Sequence, residues 1–265
     1  MTGWLHIQRG EAPLVVALPH GGTGLGGIED RFVSPWLARR DADWHIAELY
    51  AFAADLGATT IATQVSRSVI DVNRDPSGAS LYPGMATTEL CPTTTFDGDR
   101  LYRCFDPEED EISWRRRTFF DPYHAAVTAE LERLNATHGK VVLYDAHSIR
   151  SRVPRLFDGE LPQFNIGTNS GASCDQPLAR QVAGICGSDC VIDGRFKGGW
   201  TTRHYGHPER GIHAVQMELA MRGYMIEPAE VTPGTWPTPL LAQPEILPIL
   251  HAVLTACIAF AKGSA

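Results

Sequence analysis

Two histidines, two carboxylates and a set of arginines stand where they could share one reaction. His20 lies in Leu18-Pro19-His20-Gly21-Gly22 and His147 in Tyr144-Asp145-Ala146-His147-Ser148. Each follows a short apolar run. Asp43 stands in Asp41-Ala42-Asp43-Trp44, Asn73-Arg74 ends Val69-Ile70-Asp71-Val72-Asn73-Arg74, and Glu218 sits in Val215-Gln216-Met217-Glu218-Leu219. Parallel strands deliver residues of this kind into a cleft at their carboxyl ends. Two His and one carboxylate suffice for a catalytic divalent metal with an open position, and a further Glu can serve as general base. The residue types therefore point to metal-dependent hydrolysis of an acidic amide.

Each residue also has a plainer explanation. Asp43 precedes a helical pattern, and Asp is a common N-cap; Asp41 competes with it both as cap and as ligand. His20 and His147 could be turn or strand-end histidines bonded to backbone. Glu218 lies in an apolar strand, where a carboxylate is costly to bury without a partner. It is either at the strand's exposed end, paired with an arginine, or a base. Arg67 and Arg74 flank the run before Asn73, and the Arg fork can grip a carboxylate in bidentate fashion. Arg203-His204 follows a glycine turn and could hold a second anionic group or be an ordinary basic loop. The stretch Gly21-Gly22-Thr23-Gly24-Leu25-Gly26-Gly27 lacks a GKS or GKT ending and a following helix, which excludes a phosphate loop.

The elements that must position these groups follow from periodicity. Residues 13–18, 59–65, 140–144, 164–167, 190–192 and 212–219 read as short strands. Residues 45–56 read as a helix stopped by Gly57, about 109–138 as a helix ending at His138-Gly139, 176–185 as a helix and 244–261 as a closing helix. Residues 23–42 read as polar loop and Gly198-Gly199-Trp200 as a turn. Residues 74–105 are rich in Pro, Gly, Thr and Asp, and a loop this long in a compact domain serves as a lid or binding element. Alternating strands and helices predict an α/β fold with a largely parallel sheet. No linker interrupts the chain, so residues 1–265 read as a single domain.

Bulk properties narrow the function. The 265 residues carry a formal net charge of −8, so nucleic acid is an unfavourable partner. An anionic substrate needs locally placed arginines, because the overall field repels it. The six cysteines form no CxxC pair, and Cys186/Cys190 has no matching second pair, which argues for reduced thiols. No signal-like apolar core opens the chain and no stretch has the length of a membrane span. The expectation is a cytoplasmic protein with no membrane partner.

Longer motifs carry a resemblance. They are Pro19-His20-Gly21-Gly22, Asp41-Ala42-Asp43-Trp44-His45, residues 66–76 (SRSVIDVNRDP), Ser80-Leu81-Tyr82-Pro83-Gly84, residues 91–98 (CPTTTFDG), Tyr144-Asp145-Ala146-His147-Ser148, residues 195–206 (RFKGGWTTRHYG) and Gln216-Met217-Glu218. With these the chain resembles the N-formylglutamate amidohydrolase family, whose reaction closes one route of histidine degradation. That family is similar to the zinc carboxypeptidases and aspartoacylases. The resemblance implies a single α/β domain with a mixed, mostly parallel sheet flanked by helices. In those relatives the first ligands come as His-x-x-Glu; here Thr23 stands in place of the Glu, so the carboxylate must come from elsewhere, with Asp43 the best match. It further implies His20, Asp43 and His147 as ligands of one divalent metal, zinc first, and Glu218 as base. Arg67 would polarise the scissile carbonyl and Asn73-Arg74 would grip the α-carboxylate of N-formyl-L-glutamate. Arg203 and His204 are the expected γ-carboxylate residues. A deacylase of another N-acyl amino acid, a carboxypeptidase-like amidase and a metal-dependent binding protein for acidic metabolites are the other readings.

Overall fold

The apolar runs pair side by side because both of their faces are covered. In the computed structural model, which describes residues 3–80, 84 and 87–263, seven strands form one mixed sheet. They are β1 (Leu5–Gln8), β2 (Leu14–Leu18), β3 (Thr59–Thr63), β4 (Val141–Ile149), β5 (Phe164–Gly167), β6 (Cys190–Ile192) and β7 (Ile212–Ala220). Their spatial order is β1-β3-β2-β4-β7-β5-β6. The centre, β3-β2-β4-β7, is parallel, while β1 runs against β3 and β5 against β7. The helices are α1 (Leu37–Arg40), α2 (Ile46–Leu49), α3 (Glu109–Arg115), α4 (Asp121–His138), α5 (Gln176–Cys186), α6 (Trp200–Tyr205) and α7 (Leu247–Ala261).

Strand alternation sorts the core into two layers. Leu14, Val16 and Leu18 of β2 join Val142 and Tyr144 of β4 on one face, under Leu178 and Val182 of α5 and Leu250, Val253, Leu254 and Cys257 of α7. Val15, Ala17, Val141 and Leu143 face the other side, under Tyr123, Val127, Leu131 and Leu134 of α4. Those four recur at helical spacing, as the sequence predicts. Helix α4 stops where Gly139 turns left-handed (φ 73°) and its N–H bonds the Asn135 carbonyl. Buried on both faces, β2 and β4 read as continuous apolar runs.

Five expectations change, the first being that residues 23–42, read as polar loop, include helix α1. The helix over 45–56 is two short pieces, α2 and a 3-10 turn at Ala51–Ala54, with His45 left-handed at φ 58°. The break at Tyr50 lets Ile46, Leu49, Tyr50 and Ala53 all turn inward, and the Tyr50 hydroxyl meets that of Tyr144 at 3.0 Å. Strand β4 runs five residues past Tyr144, through His147. The turn at 198–200 leads into α6. Strand β1, unforeseen, is an edge strand with mostly exposed side chains. Within the loop motif Ser80-Leu81-Tyr82-Pro83-Gly84, residues 81–83 lie outside the described residues.

Candidate active site

The three central strands bring the predicted chemistry to one end of the sheet. His20 follows β2 by two residues, His147 lies near the end of β4, and Glu218 lies opposite His147 on the adjacent parallel β7. Asp43 arrives from the turn before α2, where its N–H bonds the His20 carbonyl at 3.0 Å. Gly22 lets the loop after His20 pass close to the end of β3: a Cβ there would lie 2.3 Å from the Gln64 backbone carbon.

His20 Nδ1 and His147 Nδ1 lie 3.1 Å apart. Asp43 Oδ2 is 3.9 Å from the first and 3.5 Å from the second. All three residues are buried, and one ligand atom from each lies within 4.8 Å of the others. Each far nitrogen has a buried carboxylate beside it: His20 Nε2 bonds Asp71 Oδ1 at 2.6 Å, and His147 Nε2 lies 3.1 Å from Asp145 Oδ1 and 2.9 Å from the Asn73 amide nitrogen. A carboxylate behind a histidine fixes its tautomer and turns the other nitrogen's lone pair toward a metal. Two lone pairs and a carboxylate oxygen facing one another repel unless a cation lies among them, so the donor set fits a divalent metal ion. Burial works against a charge on His147, but Asp145 and Asp43 raise its imidazole well above its ordinary range. His20 goes the other way, lowered to about 4 by burial and by Arg67.

Asp41 is turned elsewhere. Its Oδ2 accepts the Phe96 N–H at 2.6 Å, and Arg150 and Arg40 approach its other oxygen at 3.8 Å. It anchors the 91–98 loop, and Asp43 alone of the two faces the histidines.

Arg67 spans the cluster's rim, with Nη2 2.8 Å from Asp71 Oδ2 and Nη1 3.6 Å from Asp43 Oδ1. Its guanidinium lies over the Phe96 ring at 4.7 Å. The charges of His20, Arg74 and Arg67 outweigh burial and hold the Asp71 carboxyl well below the usual range. Glu218 is not at an exposed strand end: it is buried, and burial lifts its carboxyl to about 7. Gln216 donates to Glu218 Oε2 at 3.1 Å while accepting the Gly199 N–H at 2.6 Å.

Asn73 and Arg74 line the same pocket, but the Asn73 amide is engaged within the protein. Its Nδ2 lies 3.2 Å from Asp145 Oδ2 and 2.9 Å from His147 Nε2, and its oxygen accepts the Thr201 N–H at 2.8 Å. Arg74 donates to the Thr88 carbonyl and hydroxyl at 3.0 and 3.1 Å. Arg203 and His204 are not among the residues lining the pocket. The Arg203 Nε bonds the Gly198 carbonyl at 2.9 Å, and His204 stacks on Trp200 with ring centroids 4.0 Å apart.

Sequence reasoning missed Asp71, Asp145 and Gln216. The signal was available for Asp145: Asp-x-His on a strand puts both side chains on one face. Asp71 depends on a turn whose path the sequence does not declare.

A parallel-centred sheet, a pocket at its carboxyl ends and a histidine-carboxylate-arginine cluster define an α/β amidohydrolase. The sequence model of N-formylglutamate amidohydrolase matches residues 12–225, and the chain belongs to that family. A curated relative from Pseudomonas aeruginosa, named N-formylglutamate deformylase, is 48% identical over 231 residues, 85% of this chain and 86% of the relative. One of the same name from Pseudomonas putida is 44% identical over 262 residues, 97% and 96% of the two chains. The crystal structure of N-formylglutamate amidohydrolase from Ralstonia eutropha JMP134 shares the fold, with a TM-score of 0.77 at 22% identity over 98% of both chains. A gene product of Agrobacterium tumefaciens does so at a TM-score of 0.70 and 16% identity, covering 98% and 95%.

Proposed function

We infer that this chain is an N-formylglutamate deformylase, hydrolysing N-formyl-L-glutamate to formate and L-glutamate with one divalent metal ion, zinc first. The observation that carries the metal reading is the convergence of His20 Nδ1, His147 Nδ1 and Asp43 Oδ2, each histidine backed by a buried carboxylate. The substrate reading rests on the two Pseudomonas relatives named for that activity.

A metal ion held there supplies Lewis acidity, polarising the formyl carbonyl and acidifying water. Glu218 takes a proton from the attacking water as the oxygen bonds the formyl carbon. A carboxyl near 7 is matched to that task at neutral pH. Arg67, fixed by Asp71 and Asp43, offers its guanidinium to the oxyanion that develops. The carbon–nitrogen bond then breaks, and Glu218 returns the proton to the departing amine. Arg74 holds the α-carboxylate. Asn73, tied to Asp145, His147 and the start of α6, keeps the second histidine and Arg74's backbone in register with one another.

Among the described residues no helix is long and apolar enough to cross a membrane. All six cysteines are free, which supports a reducing, cytoplasmic setting.

Chelation followed by metal restoration tests the reading. Deformylase activity should fall to background in the metal-free protein and return on adding zinc or another divalent metal. Full activity without metal would remove the metal mechanism.

A further inference from the structure

A substrate with two carboxylates needs a cation at each end of its pocket, since an unpaired buried carboxylate is costly. The chain's net charge of −8 cannot provide this at a distance, so the cations must line the pocket itself. Three arginines do: Arg67, Arg74 and Arg195. Arg67 belongs to the cluster of Asp43 and Asp71, and Arg74 leans on Thr88 with Asp71 3.6 Å away. Both sit at the metal end.

Arg195 comes from a different segment, the loop between β6 and α6. Its Nε donates to the Leu156 carbonyl at 2.8 Å, and its guanidinium lies over the Phe196 ring at 5.3 Å. These two contacts fix the plane of the fork. Leu156 and Phe196, with Phe96 and Ile149, form the apolar part of the pocket wall and pack together as a small core of their own. An apolar wall with a guanidinium held against it by Leu156 and Phe196 suits two methylenes followed by a carboxylate.

We infer that Arg195 holds the distal carboxylate of the substrate and sets the preference for an acidic side chain, the role first expected of Arg203 and His204. The inference rests on the deformylase reading, and the test separates the two.

Wild type, Arg195→Met and Arg195→Lys are compared on N-formyl-L-glutamate and N-formyl-L-glutamine. Calorimetry runs in parallel with glutarate, which keeps both carboxylates and lacks the amide, and with butyrate, which keeps one. Arg195→Met should lower kcat/KM on the acidic substrate by about 100-fold, as truncating one member of a buried charge pair does. The amide substrate should suffer far less, so the preference collapses, and Arg195→Lys should recover part of it. Glutarate binding should weaken at least about tenfold and butyrate binding much less. Equal losses on both substrates, or glutarate binding indifferent to Arg195→Met, would overturn the inference. If wild type fails to turn over N-formylglutamate yet binds glutarate through Arg195, the deformylase reading falls and the role of Arg195 stands.

Discussion

Glu218 takes its character from its surroundings. On the page of the sequence it is a carboxylate in an apolar strand, with three explanations open. In the fold it is buried next to His147 on the neighbouring strand, and burial brings its carboxyl to about 7. Glu218→Gln keeps the shape and the Gln216 contact but cannot take a proton. Its kcat should fall by about 10²- to 10⁴-fold, with bound metal, measured by elemental analysis, unchanged. Near-wild-type kcat would remove Glu218 as the base. At this scale the sequence declared residue types well and partners poorly. His20, Asp43, His147 and Arg67 were visible from spacing and resemblance. The tie of His20 to Asp71 was not, because it joins residues 51 apart, and the Asp-x-His signal for Asp145 reads only once β4 is known to continue past Tyr144.

The elements fix how closely these groups approach. Strand β3 and helices α4, α5 and α7 were legible because each buries a face with regular period, and β2 and β7 because they are short, largely apolar runs buried on both faces. The exposed edge strand β1 has no such period, and α6 is six residues long and begins on two glycines. That glycine turn has a structural reason. A Cβ on Gly199 would lie 2.3 Å from Asn73 Nδ2, and α6 would have to move off the amide that its first turn holds. Gly199→Ala should therefore cost about 1–3 kcal/mol of stability by overpacking, read from urea unfolding, and should lower activity with it. A variant as stable and active as wild type would mean that the α6 turn does not brace the site.

For the molecule as a whole, buried neutral histidines limit stability in acid. His124 on α4 donates from Nε2 to the Val72 carbonyl at 2.8 Å, with the Tyr205 hydroxyl 3.0 Å from Nδ1, and so braces the turn between Asp71 and Asn73. Burial lowers its pKa from 6.5 to about 4. The folded state therefore resists protonation that the unfolded chain accepts. Stability from this group is whole above pH 6.5 and is lost as the pH falls toward 4. The loss is about 3 kcal/mol across that window. Urea unfolding at several pH values should show it, and His124→Gln should flatten that part of the slope relative to wild type. An unchanged slope would mean that His124 is not the group responsible.

The central claim is that His20, His147 and Asp43 hold one divalent metal ion for hydrolysis. An anomalous difference map, collected at the zinc absorption edge from crystals of the zinc-restored protein, tests it most directly. A single strong peak is expected about 2.0–2.2 Å from His20 Nδ1, His147 Nδ1 and an Asp43 oxygen, on the side facing Glu218. A map with no peak in that triangle, or a peak ligated by other residues, would contradict it.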